Sequence, residues 1–468
     1  MRIAVIGGGT AGFIAAAHLT HSLPDASLVH LFDSRIPTIG VGEGTTPRFP
    51  SWFEEVTGLG FSDLVERCGA TLKTGTRFDG WGIHGEAFLN RFQPVRLIGY
   101  HFDATQVVRV IGEYVQAERI DASVDELRTL PHGVLIRLAD RTTLVCDYVF
   151  DARGFPRPAG GRAPQDDLVQ LDWIPTGRAN LRWLPPGGVS RVTRAAARPH
   201  GWIFQIPLQD AISSGYIFNP RINSDAEIEA DFTSFLRDEG VQTWTHRGML
   251  DFPNFMRRRF FDGRVFWVGN SASFLEPLEA TAIATAIVEV RAATHWIAEH
   301  GPDSSADIDE LEAFNEGMLA FVCCNSLFVA WHYACGSSWD TAFWRYARQG
   351  MERARNSDVA RHHLAEMDEF VEAGRKLPGL ALSACADQDA WDKEVYPLLT
   401  IYRPFGNFSE LNFAQVGHGI GYYEARNGKK RTAEDLRRAK GAPRRSGAGH
   451  GAPASDGDGG SGGAEPPG

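Results

Sequence analysis

The alternation of apolar and polar positions divides the chain into a β/α opening, a β-rich middle and a helical end. Arg2–Ile6 is a short apolar run, the apolar spacing over Phe13–Leu23 predicts a helix, and Leu28–Phe32 predicts a strand that closes on Asp33. Short helices are expected at Trp52–Leu59 and Phe61–Cys68. Another helical pattern opens at Tyr100, Phe102 and Asp103 and runs through Ala117. From Ala122 to Phe150 the pattern alternates with period two, as in strands, and ends on Asp151-Ala152-Arg153-Gly154. Gln165–Leu250 reads mostly as β, with one helix near Ala226–Glu239. Arg264–Val268 predicts a strand, and the alanine-rich run Ala284–Ile297 predicts a long helix. Between them lies Gly269–Ile283, with a helix start expected at Pro277. Helices are expected over Ile308–Phe321, Leu327–Ala334, Ala342–Arg353 and Asp358–Ala373. After about Arg426, Gly, Pro and Ser without apolar periodicity predict a disordered tail, 426–468.

The turn after the first strand, GGGTAG, fits G-x-G-x-x-G in its strand–turn–helix setting. Gly7 allows the tight turn, Gly9 lets backbone approach a pyrophosphate, and Gly12 lets helix and strand pack; Thr10 and Ala11 lie between. Asp33 ends the next strand, where a carboxylate can accept from ribose hydroxyls. A second formal match, Gly80 to Gly85, has no βαβ unit around it, so no second site for NAD(P)H is expected. Thr38–Pro47 is a glycine-rich loop that can wrap a cofactor. A helix beginning near Pro277 offers free N–H groups to an anion, with Glu276 and Glu279 beside it. Lys73, taken alone, reads as a solvated surface group. The cluster Trp331, His332, Tyr333, Trp339, Phe343 and Trp344 reads as core, or as the lining of a pocket for a flat substrate.

Composition removes several classes. A net charge of −11 argues against non-specific nucleic-acid binding. The absence of a long uninterrupted apolar run argues against a membrane span, and a strand starting at Arg2 leaves no room for a signal peptide. Six cysteines without metal-ligand spacing suit a reduced, cytoplasmic protein with no metal.

Several segments in order resemble the flavin-dependent halogenases, the family that includes the tryptophan halogenases. They are GGGTAG, GVGEGTTP, ATLKTGTRF, YHFDA (Tyr100–Ala104), GWIFQIP (Gly201–Pro207), GN with FLEPLEATAI, HYACGSSWDTAFW (His332–Trp344) and FAQVGHGIGYY (Phe413–Tyr423). The resemblance implies an α/β fold: a Rossmann-type FAD-binding domain of the flavin monooxygenase kind with an intimately packed β-rich and helical substrate region. Residues 1–425 would form one unit, with FAD-binding parts at about 1–50, 100–160 and 260–300. The substrate region would comprise about 51–99, 161–259 and 301–425.

It implies FAD, used as FADH2, held by Gly7, Gly9, Thr10, Ala11, Gly12, Asp33, Gly42, Glu43, Gly44, Gly269, Asn270 and Ile283. Chloride or bromide would bind at the N–H groups of Thr281 and Ala282. In the family, a flavin C4a-hydroperoxide is attacked by halide to give hypohalous acid, which travels to the substrate chamber. Lys73 would hold the electrophile there, and Glu279 would assist substitution on the arene. Trp202 and Phe204 would shield the flavin; Phe204 replaces the family's second tryptophan, and Ala280 and Ala282 replace its Ser and Gly. A separate NAD(P)H-dependent flavin reductase and a small aromatic substrate are the implied partners, and a homodimer is allowed. The shorter C-terminal part disfavours free tryptophan and favours an indole, a phenol or a larger indole-bearing metabolite. The alternatives are a flavin hydroxylase and a flavin-binding scaffold without activity.

Overall fold

The structure, a computed structural model, describes residues 1–36, 43–93, 96–156, 167–188, 190–302, 307–377 and 391–426. Met1–Arg426 forms one compact unit. The expected tail and Gly42 lie outside the described residues.

A five-stranded parallel sheet organises the first half. Its order is Val265–Trp267, Tyr148–Asp151, Arg2–Ile6, Ser27–Phe32 and Glu118–Asp121. Both faces are covered, so its strands are apolar at successive positions rather than alternate ones. In the first strand, Ile3 and Val5 face one cluster and Ala4 and Ile6 the other. The first cluster is closed by helices Thr10–Ser22 and Ala282–His300. The second is closed by an antiparallel meander, Val124–Leu130, Gly133–Leu138 and Thr143–Cys146.

A seven-stranded sheet forms the second layer of strands, in the order 245–251, 178–184, 212–218, 201–207, 193–198, 75–79 and 88–91. Period-two alternation sorts the strand Gly201–Pro207. Trp202, Phe204 and Ile206 enter the largest core cluster, while Ile203 packs against the helix Asp225–Asp238. A small sheet joins Thr71–Lys73 and Glu43–Gly44 to opposite edges of Gly99–Phe102.

The structure corrects four expectations. Tyr100–Phe102 is a strand rather than a helix opening, because it pairs with Thr71–Lys73. The helix after it, capped by Asp103, ends at Gly112 instead of Ala117. Ile308–Phe321 and Leu327–Trp331 belong to one helix, Ile308–Trp331, and the expected His332–Ala334 is a turn after it. The stretch Ala342–Arg353 is two short helices, broken at Gln349. The long helix preceding His300 starts at Ala282, not at Pro277, because Pro277–Glu279 is a 3-10 turn and Ala280 is left-handed, with φ 53°. Helix Ile308–Trp331 is long and apolar enough to cross a membrane, with mean hydropathy 1.4. Its last ten residues, from Val322, are nevertheless enclosed by the core, including Asn325 and Ser326.

Candidate active site

Open α/β sheets bind their ligands at the carboxyl ends of their parallel strands, and here those ends carry Gly7, Asp33 and Gly269. Gly7 has φ 136°, and Gly12 approaches its carbonyl so closely that a side chain on Gly12 would collide with it. A Cβ on Gly9 would meet nothing within 4 Å. Gly9 also precedes helix Thr10–Ser22 without a side-chain cap, leaving its first N–H groups for an anion. That open, uncapped turn fits a dinucleotide pyrophosphate. The buried His30 fixes the turn from below, its Nε2 2.9 Å from the Gly7 carbonyl.

Gly269 reaches the same place from the far strand, with φ 60° and its Cα turned against Ala11. Its N–H donates to the buried Glu289 at 2.7 Å. Burial pushes the Glu289 carboxyl up to about 8, opposed by that bond and by Ser273. Asn270 is half-buried and Ile283 is buried in the first turn of the helix beginning at Ala282. Asp33 stands at its strand end, but its carboxylate is already paired with Arg35 and accepts from Ser123. The Arg35 guanidinium holds it well below the usual carboxylate range.

Lys73 is not a surface residue. It is 1% exposed, and burial pulls its ammonium down to about 8 against the opposing pull of Glu279. The Nζ lies 5.6 Å from the centre of the Phe92 ring. Gly44 of the glycine-rich loop closes over it. A Cβ there would sit 3.2 Å from Lys73 Nζ and 3.3 Å from Thr193 Oγ1. Behind them the Thr71 hydroxyl donates to the Pro207 carbonyl at 2.6 Å. His101 Nδ1 must therefore donate to Thr71, at 3.2 Å, and its Nε2 accepts from Thr193 at 2.9 Å. Burial, then the Lys73 charge, keeps this imidazole well below its ordinary value and so neutral.

Glu279 ends the 3-10 turn and is buried. Its Oε1 lies 2.7 Å from His332 Nε2 and accepts from Asn90 Nδ2 at 3.0 Å; Asn412 in turn donates to Asn90 Oδ1 at 2.9 Å. The neighbouring Glu276 accepts from Tyr333 at 2.5 Å and from the Thr176 hydroxyl. Burial pushes Glu276 up to about 7, opposed by those two bonds. Consecutive residues at the end of one helix, His332 and Tyr333, thus hold both carboxylates of the turn.

Thr281 precedes the helix with no side-chain cap, and Ala282 is its first residue, outside the left-handed region. Trp202 and Phe204 lie on one face of their strand, 6.5 Å apart, in the core cluster that also contains Leu275 and Leu278. Of Gly42 and the Glu43 side chain nothing is described. Elsewhere Cys324, His363 and Glu366 bring ligand atoms within 4.8 Å of one another, with Glu366 already paired to Arg403.

The sequence did not single out Asn90, Asn412, Thr193 or His30. His101 was quoted only inside a longer segment, and His332 only inside another and as one member of the aromatic cluster, not as a partner of Glu279. A histidine closing a long apolar helix was the one available signal, since the asparagines carry none.

Comparison with known proteins places the chain among related sequences and structures. The model of the tryptophan halogenase family matches residues 2–99 and 94–377. The tryptophan 7-halogenase RebH of Lentzea aerocolonigenes is 24% identical over 497 residues, covering 90% of this chain and 88% of its own length. The tryptophan 6-halogenase ThaL of Streptomyces albogriseolus is 23% identical, covering 73% and 78%. The solved structure of the tryptophan 6-halogenase SttH from Streptomyces toxytricini superposes with a TM-score of 0.70 at 19% identity, covering 90% of each chain.

Proposed function

Because the chain belongs to the tryptophan halogenase family, and so is a flavin-dependent halogenase of aromatic substrates, we propose that it chlorinates or brominates an electron-rich arene such as an indole or a phenol. Lys73 and Glu279 are its catalytic residues in this reading. The carrying observation is a fully buried amine held near neutrality within electrostatic reach of a buried carboxylate.

FAD would be held by the Gly7–Gly12 turn, Asp33, the Glu43–Gly44 loop, Gly269, Asn270 and Ile283. When bound in reduced form, with dioxygen and halide, it supplies hypohalous acid. The backbone N–H groups of Thr281 and Ala282 suit the halide, because Ala282 has ordinary helical φ and needs no glycine. Ala280 takes the left-handed position at the C-cap of the 3-10 turn instead. Lys73 holds the electrophile, as a chloramine or through a hydrogen bond; a lowered ammonium makes free amine available near neutral pH. Glu279 stabilises the cationic ring and takes its proton at the carbon that gained halogen. Trp202 and Phe204 supply bulk that keeps organic substrate from the flavin.

With one dinucleotide turn among the described residues, the enzyme draws FADH2 from a separate NAD(P)H-dependent reductase, as a cytoplasmic two-component system. The test is a product mass spectrum after incubation with such a reductase, FAD, chloride or bromide and an arene panel. A halogen isotope pattern is expected. Products carrying only oxygen, or NADH consumption by the protein without a reductase, would sink the reading.

A further inference from the structure

His332 is buried, and both its ring nitrogens are committed. The Phe328 carbonyl, 2.9 Å from Nδ1, can only accept, so Nδ1 carries hydrogen. Nε2 faces Glu279 Oε1 at 2.7 Å. Two lone pairs do not meet at that distance, so a proton lies between them, on the nitrogen or on the oxygen. Asn90 donates to the same Oε1. Both donors therefore hold one oxygen, which leaves Oε2 for an incoming group.

We propose that Glu279 acts as one half of a carboxylate–imidazole pair, with His332 as the positioning residue that aims Oε2 at the arene and retains the shared proton while Oε2 takes the ring proton. The inference rests on the reading of Glu279 as the base. In the step, the arenium C–H bond breaks and its electron pair restores the aromatic ring, while the proton goes to Oε2. A proton already on Nε2 stays there; one on Oε1 moves to Nε2 as Oε2 is protonated. Either start ends as a neutral carboxyl group hydrogen-bonded to an imidazolium: from the ion pair the ring proton neutralises the Glu279 carboxylate, and from the neutral pair it leaves the positive charge on His332. The Phe328 carbonyl stabilises that cation from the other side. A glutamate without such a partner would rotate freely between oxygens and spread its hydrogen bonding over both.

The test uses His332→Gln, which keeps an amide donor for Oε1 and carries no charge. Its steady-state rate is measured with indole and, separately, with ring-deuterated indole. Loss of roughly 10²-fold in kcat is expected, with KM little changed and hypohalous acid still trapped by an added thioether. A primary deuterium isotope effect, absent in the wild type, should appear as proton removal becomes limiting. A rate loss without an isotope effect would reduce His332 to a packing residue and overturn the proposal. Should His332→Gln fail to fold, proton NMR of the wild type decides. A far-downfield imidazole proton that disappears in Glu279→Gln supports the pair, and its absence in the wild type overturns it. Unaltered halogenation in Glu279→Gln would instead sink the reading on which this rests, whatever His332 does.

Discussion

Lys73→Met should abolish halogenation and make the protein more stable. An ammonium whose pKa falls from 10.5 to about 8 on folding loses about 3 kcal/mol when charged, at 1.36 kcal/mol for each unit. Methionine has similar length and no such penalty, so near pH 7 the variant should gain up to about 3 kcal/mol. Unfolding entropy near 2.1 cal/mol/K per residue over a unit of this size converts that to a rise of about 3 °C in Tm. The pH dependence is the sharper signature. Between about 8 and 10.5 the unfolded chain binds a proton that the folded chain does not, so wild-type stability rises with pH across that window. The gap between variant and wild type should therefore be widest below pH 8 and close toward pH 10.5. Activity follows the same group. At pH 7 about one amine in ten is unprotonated, against about 3 in 10⁴ for an unperturbed lysine, so wild-type halogenation should climb as pH approaches 8. Calorimetric melts from pH 6.5 to 9.5, with product assays alongside, test both. A variant that is active, or whose stability gap ignores pH, refutes the reasoning.

Other substitutions probe the surrounding frame. Gly44→Ala would place a methyl 3.2 Å from Lys73 Nζ; it should cut arene halogenation even when FAD is saturating, read by product mass spectrometry alongside a flavin titration. Ala280→Gly relieves a left-handed alanine at φ 53° and should stabilise by about 1 kcal/mol, measured by urea denaturation. Burial raises Glu289 from 4.5 to about 8, so the folded state binds more protons between those values and stability falls as pH rises through them. Glu289→Gln should flatten that slope while still accepting from the Gly269 N–H, checked by melts from pH 5 to 8.5.

What the sequence disclosed was chiefly local. The Gly7–Gly12 turn was legible because backbone geometry itself demands glycine there, at φ 136° for Gly7 and at the contact between Gly12 and the Gly7 carbonyl. Strand Tyr100–Phe102 was misread because its partner, Thr71–Lys73, lies elsewhere in the chain, and apolar periodicity over a few residues cannot report pairing. Lys73 passed for a surface lysine by residue type, since only packing encloses it. Asn90 and His332 reach Glu279 from 189 and 53 residues away, distances over which no spacing rule operates. The helix start was set five residues early because Pro277 suits the first turn of a 3-10 helix as well as that of an α-helix.

The grip of His332 and Tyr333 on the two glutamates sets a rule for how relatives of this chain can diverge. Each residue turns an α-helix by about 100°. A single insertion or deletion within Ile308–Trp331 would swing both side chains off their carboxylates together. Indels between Glu279 and His332 should therefore be confined to the connection before Ile308, where added length leaves the helix in phase.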